Sequence, residues 1–345
     1  MVDWMQIRQP LLMWYMDHHR DLEWRKTKEP YRIWVSEIML QQTRVEAVKG
    51  YYERFLSELP DIEALSAVSE DRLLKLWEGL GYYNRARNMK RAALKIMEEY
   101  GGVFPNAYEE VLKLPGIGAY TAGAICSICY EAPCPAIDGN VLRVMMRLSG
   151  CEDNIDDQHT KNKVREWLVP VYEAGNCSGM TQALMELGAT VCIPAGIPMC
   201  VDCPLKGLCQ ARQNGTWSRL PVRRKKKERR IEEKTVFVLH CDDQYGIRKR
   251  KNEGLLAGMW EFFHIDEVLS PEMAVGFISQ QGYGPVELEK QISYTHIFSH
   301  VEWRMTAYYI ACTDRKKELK WVERGELAGK YALPTAFRIF LERES

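Results

Sequence analysis

The chain has 345 residues, enough for two domains of ordinary size, and its apolar fraction of 46% is typical of a globular protein. The formal net charge is zero, so any surface that binds nucleic acid must be local rather than a property of the whole chain. No stretch is apolar for long enough to span a membrane, and the N-terminal residues MVDWMQIRQP lack the apolar core of a signal peptide. Eleven cysteines without an export signal indicate metal or cluster binding in a reducing compartment, so we expect a cytoplasmic protein.

The first motif is WRKTKEPYRIWVSEIMLQQTRV, residues 24 to 45. After a start at Pro30, the pattern predicts a helix from Ile33 to Val45 in which Glu37 and Gln41 share a face. Apolar residues flank Glu37, and such surroundings raise the pKa of a carboxylic acid until it can donate a proton near neutrality. The alternative is an ordinary solvated glutamate on a helix.

The next stretch, Gly50 to Arg91, has a helical pattern that is broken at Leu59–Pro60 and at Gly79–Gly81. From Trp77 onward, in WEGLGYYNRARNMKRAA, aromatic residues alternate with basic ones, as in a surface that binds nucleic acid. A helix with a solvated basic face is the alternative. The basic residues concerned are Arg85, Arg87, Lys90 and Arg91.

A glycine turn follows at LPGIGAYTAGAI, residues 114 to 125. Tyr108–Leu112 has helical spacing, so the segment predicts a helix, a tight turn with Gly116 and Gly118, and a second helix. Glycines permit backbone angles that other residues avoid and leave the N–H groups of the second helix uncovered. Such a helix start binds phosphate oxygens, although an ordinary helix connection has the same pattern.

The segment AIDGNVLRVMMRLSG then places Asp138 just before another predicted helix. Arg143 and Arg147 are predicted to lie on the face opposite the apolar one. Asp138 is a candidate catalytic carboxylate, and a helix N-cap is the alternative or an additional role. The apolar positions are Val141, Val144, Met145 and Leu148.

Four clustered cysteines, with one Cys-x2-Cys pair among them, form the third motif. Four thiolates suit either Zn²⁺ or a [4Fe–4S] cluster, and a zinc ribbon usually has two separated Cys-x2-Cys pairs. Cys126 and Cys129 are predicted to be ordinary buried thiols. The four candidate ligands are Cys192, Cys200, Cys203 and Cys209.

Residues 214–234 are predicted to be a linker, with a nearly all-basic run from Arg223 to Arg230. Beyond it the pattern predicts strands at TVFVLHC and YGIRKRK, and a turn leading into another strand at GLLAGMWEFFHI. A helix is predicted at PEMAVGFISQQ and a long hairpin at QISYTHIFSHVEWRMTAYYIACT. This is an α+β domain. The tip of the hairpin carries Phe298, Ser299 and His300, which without the N-terminal motifs would be a simple β-turn.

Taken together and in this order, the motifs resemble those of MutY-type adenine DNA glycosylases, members of the helix-hairpin-helix superfamily. The resemblance covers nearly the whole chain. It implies an all-α helix-hairpin-helix glycosylase domain with a [4Fe–4S] loop at residues 1–213, the linker at 214–234, and a Nudix-like α+β domain at 235–345. No acidic metal-binding Nudix box is present, so pyrophosphate hydrolysis is not expected.

The resemblance also implies the chemistry. In this family the glutamate at the position of Glu37 protonates adenine. The aspartate at the position of Asp138 stabilises the positive charge that develops on the sugar. Tyr120 and Asn140 lie close to these two groups in the family pattern. Asp138 is expected to be held ionised by the helix start.

Further positions are implied to contact DNA. Gln42, with Thr43 beside it, wedges into the base stack, and Leu80 and Tyr82 penetrate the duplex near the target pair. The positions implied to line the adenine pocket are Trp24, Arg25 and Gln182, and those implied to contact 8-oxoguanine are Phe298, Ser299 and His300.

The implied cofactor is a [4Fe–4S] cluster on the four cysteines, although the first cysteine loop has seven residues, IPAGIPM, where the family has six. The expected partner is double-stranded DNA with an 8-oxoguanine:A or G:A mispair, and the protein is expected to be a monomer.

Two rivals fit parts of the sequence. An endonuclease III-type glycosylase acting on oxidised pyrimidines resembles the N-terminal half, but it carries a Schiff-base lysine where this chain has Tyr120, and it lacks the second domain. A non-enzymatic DNA-binding or redox-sensing cluster protein would have no use for Glu37 and Asp138 together.

Overall fold

The computed structural model describes residues 3–224 and 228–342, and Lys225–Lys227 of the predicted basic run lie outside the described residues. The chain forms two compact units. The first comprises Met1–Ala67 and Asn88–Lys225, and the second comprises Val68–Arg87 and Lys226–Ser345. No helix in the described part of the chain is both long and apolar enough to cross a membrane.

The first unit is built of helices. Of the twelve described helices that precede the sheet, α5 lies in the second unit and α6 begins in it. In chain order they are α1 (Arg8–His18), α2 (Pro30–Leu40), α3 (Val45–Glu58), α4 (Ile62–Ala67), α5 (Glu70–Leu76), α6 (Asn84–Tyr100), α7 (Tyr108–Leu112), α8 (Ala119–Tyr130), α9 (Gly139–Ser149), α10 (Gln158–Glu173), α11 (Cys177–Thr190) and α12 (Gln210–Gln213). One core packs α1, α9, α10 and α11 together around side chains such as Leu11, Met145 and Leu184.

Helix α2 ends earlier than its sequence pattern predicts. It begins at Pro30, where the Glu29 side chain accepts from two backbone N–H groups of the first turn, and it ends at Leu40 rather than at Val45. The predicted helix Ile33–Val45 is therefore wrong at its C-terminal end. Beyond Leu40 the apolar stripe stops at two glutamines, and Gln42 takes a left-handed backbone conformation with φ 58°.

The glycine turn between α7 and α8 has the predicted form, but its two glycines serve different needs. Gly116 has φ 77°, and a Cβ atom there would lie 2.5 Å from Cβ of Asn88, so both the conformation and the space require glycine. Gly118 caps α8 with an ordinary φ of −97°. A Cβ atom at Gly118 would meet no protein atom within 4 Å.

A mixed sheet forms the second unit, with strand order β4-β5-β1-β3-β2-β6. Strands β1 and β5 are parallel, and the other pairs are antiparallel. The elements are β1 (Arg230–Cys241), β2 (Gln244–Lys249), β3 (Trp260–Ile265), α13 (Pro271–Gln280), β4 (Val286–Ile297), β5 (Val301–Cys312), β6 (Lys320–Glu323), α14 (Arg324–Lys330) and α15 (Thr335–Glu342).

The sheet is covered on both faces. Side chains of α14 and α15, including Leu327 and Phe337, pack on one face, and those of α13, including Ile278, pack on the other. The predicted strands, helix and hairpin are all present, but β1 begins at Arg230, inside the segment predicted to be linker. The extra residues pair with β5 at the hairpin, from Arg230 opposite Val301 onward, and this tertiary pairing is invisible in the local pattern.

The segment Val68–Arg87 packs within the second unit. Lys75 Nζ donates to the carbonyl of Tyr331 at 3.2 Å, and Glu78 Oε1 accepts from the backbone N–H of Leu333 at 2.8 Å. This segment carries the GLGYY turn, so the turn and the hairpin tip of β4 and β5 belong to the same compact unit.

Candidate active site

Glu37 occupies the buried side of α2, with only 5% of its surface exposed. Tyr120, in the first turn of α8, donates its hydroxyl to Glu37 Oε2. Burial, together with the charge of Asp138, raises the pKa of Glu37 to about 7, against the lowering effect of the hydrogen bond from Tyr120. Burial also raises the pKa of Tyr120 well above its ordinary value, so its hydroxyl remains a donor. Glu37 is therefore a carboxylic acid able to hold and deliver a proton near pH 7.

Asp138 is the N-cap of α9, as the sequence predicts. Its Oδ1 accepts from the backbone N–H of Val141 at 2.7 Å, and its Oδ2 accepts from Asn140 Nδ2 at 2.7 Å. Burial raises the pKa of Asp138 above its ordinary value even though these hydrogen bonds lower it. Loss of solvent thus outweighs the donors in the direction of this pKa shift, and the expected ionisation of Asp138 stays a prediction.

The two carboxyl groups differ in what surrounds them. Glu37 has one neutral hydroxyl donor and apolar neighbours, whereas Asp138 has a backbone N–H and an amide pointing at both oxygens. Burial raises the pKa of both groups, but Asp138 has a donor at each oxygen, and such hydrogen bonds favour its charged form. The pair can therefore protonate a leaving group and stabilise a nearby cation.

A second buried carboxylate, Glu186 on α11, was not anticipated from the sequence. It has no exposed surface, and it accepts hydrogen bonds from Arg20 Nε at 2.8 Å and from Arg25 Nη2. Burial would raise the pKa of Glu186, but the hydrogen bonds from Arg20 and Arg25 outweigh it and lower the pKa to about 2. One signal was available: a single acidic residue in the apolar helix sequence TQALMELGAT.

Of the residues predicted to line the pocket, Gln182 and Arg25 both contact Tyr15, and Trp24 precedes Arg25 in the chain. Gln182, one turn before Glu186 on α11, accepts from the Tyr15 hydroxyl at 3.0 Å. The Arg25 guanidinium lies 5.6 Å from the centre of the Tyr15 ring. Trp24 is buried and packs edge-on against Tyr52.

The far side of α9 is buried rather than solvated. Arg143 donates to Asn140 Oδ1 at 2.8 Å and to the carbonyl of Cys192 at 2.7 Å. Arg147 donates to Cys192 Sγ at 3.3 Å and to the carbonyl of Leu220 at 3.0 Å. Arg143 and Arg147 were predicted to lie opposite the apolar face of α9. Residues 188–193 and 220 cover the two arginines, so they are not exposed to solvent. Helix α9 thus joins the Asp138 end of the site to the cysteines.

The four predicted cysteines line one small cavity of about 30 Å³. Burial raises the pKa of the Cys203 thiol to about 12, so thiolates can persist here only beside a positively charged group. Within the described residues, no three His, Cys, Asp or Glu side chains converge tightly enough to hold a metal ion. Four thiols around one cavity are a donor set that suits either Zn²⁺ or a [4Fe–4S] cluster. The cavity is lined by Val144, Arg147, Leu148, Leu187, Val191, Cys192, Pro198, Cys200, Cys203, Lys206, Cys209, Arg212 and Trp217.

The residues implied to enter the duplex are found in both units. Gln42 is exposed at the end of α2 and Thr43 is partly exposed, in the first unit. In the second unit, Tyr82 is 46% exposed with φ 47°, whereas Leu80 is buried.

Two of the basic residues near this turn have internal roles, which corrects the predicted basic surface. Arg85 donates to the carbonyls of Leu80 and Gly81 at 3.0 and 3.1 Å. Arg87 pairs with Glu70 at 2.7 Å and also donates to a backbone carbonyl. Arg85 thus holds the turn, and Arg87 ties its helix to other parts of the same unit.

The hairpin tip presents two of its three predicted residues. Ser299 and His300 are exposed, whereas Phe298 is partly buried and packs against the core of the sheet. The Ser299 hydroxyl lies 2.7 Å from the Tyr82 hydroxyl, so the tip and the GLGYY turn meet.

Two parts of the chain match known protein families. Residues 35–170 match the HhH-GPD superfamily of base excision DNA repair proteins, and residues 235–343 match the NUDIX domain. An adenine DNA glycosylase of Buchnera aphidicola subsp. Acyrthosiphon pisum is 33% identical over 297 residues, covering 85% of this chain and 83% of the relative. The human adenine DNA glycosylase is 30% identical over 402 residues, covering 96% and 73%.

Solved structures resemble the helical part. A thermostable thymine-DNA glycosylase has a TM-score of 0.55 and 26% identity, covering 61% of this chain and 97% of its own. Endonuclease III trapped on DNA as a covalent intermediate has a TM-score of 0.52 and 26% identity, covering 62% and 99%.

Proposed function

This chain belongs to the adenine DNA glycosylase family, and from that membership and the pairing of Glu37 with Asp138 we propose that it removes adenine from duplex DNA by hydrolysing the N-glycosidic bond. The predicted fold class, a helix-hairpin-helix glycosylase domain followed by a Nudix-like α+β domain, is confirmed. The observation that carries the mechanism is the buried Glu37, with its pKa near 7, beside an aspartate held by two donors.

In the proposed reaction the target nucleotide leaves the base stack, since the atoms of the glycosidic bond are inaccessible inside a duplex. Glu37 transfers its proton to a ring nitrogen of adenine, and the electron pair of the C1′–N9 bond moves onto the base. Asp138 stabilises the resulting sugar cation, as the second carboxylate does in glycosidases. Water adds to C1′, and the proton that it loses restores the acid.

The remaining predicted residues receive proposed roles in binding. Trp24, Arg25 and Gln182, together with Glu186, surround the extruded adenine. Gln42 with Thr43, and Leu80 with Tyr82, replace it in the stack, while Gly116 and Gly118 let a phosphate approach α8.

We propose that the mispair partner is 8-oxoguanine or guanine, and that Ser299 and His300 contact the modified edge. 8-Oxoguanine has an N–H at N7 where guanine has an acceptor, so a serine hydroxyl can accept from the lesion but not from guanine. In this proposal residues 1–213 excise adenine, and residues 235–345 recognise the base opposite it. Residues 214–234 link the two parts, and the protein acts as a monomer.

We further propose that Cys192, Cys200, Cys203 and Cys209 hold a [4Fe–4S] cluster, which supplies folding energy rather than a reaction step. The buried thiols and the nearby Arg147 fit a cluster whose thiolates need positive charge around them. Iron and zinc analysis of protein purified without oxygen tests this assignment, and stoichiometric zinc without iron would refute it.

One assay tests the activity. The protein is incubated with duplexes that contain 8-oxoguanine:A, G:A or thymine glycol, and alkali-labile sites are counted. We expect cleavage at adenine in the first two. Cleavage at thymine glycol alone would instead favour an endonuclease III-type activity, and no cleavage at all would favour a binding protein.

A further inference from the structure

We propose that Glu232 and Trp303 are positioning residues that set the hairpin tip for recognition of 8-oxoguanine. The inference rests on the proposed role of Ser299 and His300. It adds that the orientation of Ser299 and His300 is fixed by contacts between β1 and β5, namely a hydrogen bond from Trp303 to Glu232 and the packing of Phe298 on Trp303.

Trp303 lies two residues into β5, directly after the tip, and only 2% of its surface is exposed. It stands opposite Glu232 in the parallel pairing of β1 with β5. Its indole Nε1 donates to Glu232 Oε2 at 2.8 Å, so the ring plane is held by a directional bond as well as by packing.

A buried cation keeps the carboxylate in place. Lys234, two residues further along β1, is 4% exposed, and its Nζ lies 3.2 Å from Glu232 Oε2 and 4.6 Å from the centre of the Trp303 ring. Burial would raise the pKa of Glu232, but the hydrogen bonds from Lys234 and Arg230 outweigh it and lower the pKa, so the acceptor stays ionised. A charged acceptor makes the stronger hydrogen bond to the indole.

Phe298 connects Trp303 to the hairpin tip. Its ring meets Trp303 edge to face at 4.9 Å and His296 at 4.5 Å, and its backbone N–H donates to the carbonyl of Val301 at 2.8 Å. With Phe298 turned inward, Ser299 and His300 are left exposed at the turn. The backbone of Arg230 also donates to the carbonyl of His300 at 3.2 Å.

This arrangement bears on specificity because hydrogen bonds to a base edge require donors and acceptors held within about 0.5 Å of the productive geometry. A short turn does not provide that rigidity by its own backbone. Loss of the support should therefore weaken discrimination between 8-oxoguanine and guanine without removing any group that touches the base.

The experiment compares Glu232→Ala and Trp303→Phe with wild type in the full-length protein. The measurement is the ratio of dissociation constants for G:A and 8-oxoguanine:A duplexes at one fixed salt concentration. We expect the ratio to fall roughly fivefold to tenfold in both variants. Glu232→Gln keeps an oxygen that can accept the hydrogen bond from the indole, so this variant should keep the wild-type ratio. Glu233→Ala, the exposed neighbour with the same charge loss, should not change it.

Ser299→Ala with His300→Ala, measured in parallel, separates this inference from the proposed function. If that double variant loses the preference while Glu232→Ala and Trp303→Phe keep it, the positioning role is refuted and recognition by the tip stands. If all variants keep the preference, both fail. If Glu232→Gln falls as far as Glu232→Ala, charge rather than positioning is responsible, which also refutes the inference. Thermal unfolding verifies that each variant is folded, and Trp303→Phe provides an independent test where Glu232→Ala is too unstable to measure.

Discussion

The candidate active site of the first unit and the hairpin tip of the second unit place their proposed functional side chains in opposite ways. Glu37 is enclosed by helices and is 5% exposed, whereas Ser299 and His300 are exposed at the end of two strands. Proton transfer near pH 7 needs a carboxylic acid with a raised pKa, and burial is the largest cause of the raised pKa of Glu37. Recognition of a base edge needs groups that reach out of the protein, so their order has to come from what lies beneath them.

This difference separates rate from selection. On the proposed function, we expect changes in the pocket to alter the protonation or charge of the reacting groups, and changes at the tip to alter which duplex is bound.

Glu37→Gln should lower the single-turnover rate of adenine excision by roughly 10²- to 10⁴-fold, because an amide cannot deliver a proton. DNA affinity should be retained, since the shape of the side chain is preserved. Glu46→Gln, on the exposed side of α3, is the matched control. Excision within tenfold of wild type would remove Glu37 from the acid role.

The excision rate should also depend on pH in a defined direction. Because the pKa of Glu37 is about 7, the acid form predominates below that pH and the rate should fall about tenfold per pH unit above it. Tyr120→Phe removes the hydrogen bond that lowers this pKa, so the descending limb should move to higher pH. A limb that stays in place in Tyr120→Phe would show that Tyr120 does not control this proton.

Ser299→Ala with His300→Ala should weaken binding to 8-oxoguanine:A roughly 5- to 150-fold, the cost of about 1–3 kcal/mol for lost hydrogen bonds. Binding to G:A should change less. Thr295→Ala, exposed on β4 of the same hairpin, is the control. An unchanged preference for 8-oxoguanine over guanine would move discrimination to Gln42, Leu80 and Tyr82.

The smallest effect is expected at the glycine turn, where backbone rather than side chain is proposed to meet DNA. Gly118→Ala should leave thermal stability unchanged, because its φ is ordinary and its Cβ would meet no protein atom. Affinity for every duplex should fall alike, by roughly threefold to tenfold. Gly116→Ala should instead destabilise the fold through its positive φ and the contact with Asn88. Unchanged affinity in Gly118→Ala would argue against a phosphate at this helix start.

Much of the site could be predicted locally because its signals are local. The apolar neighbours of Glu37 indicated its raised pKa, and the position of Asp138 before an apolar helix indicated its N-cap. Glu186 was missed because its partners Arg20 and Arg25 are more than 160 residues away in sequence, at separations of 166 and 161. Arg85 and Arg87 were misassigned for a related reason, since a basic residue in a pattern does not show whether a carbonyl or a carboxylate already binds it.

By itself the sequence determined the order of elements, the glycine turn between two helices, the four clustered cysteines and the hairpin that ends in Ser299 and His300. These depend on backbone preferences and on apolar spacing over a few residues. Only the tertiary structure decided that burial outweighs the helix start at Asp138, that α9 buries Arg143 and Arg147, and that Glu232 supports Trp303 beneath the tip. The reason is physical: desolvation and hydrogen bonding depend on every atom that surrounds a group, and most of those atoms come from distant parts of the chain.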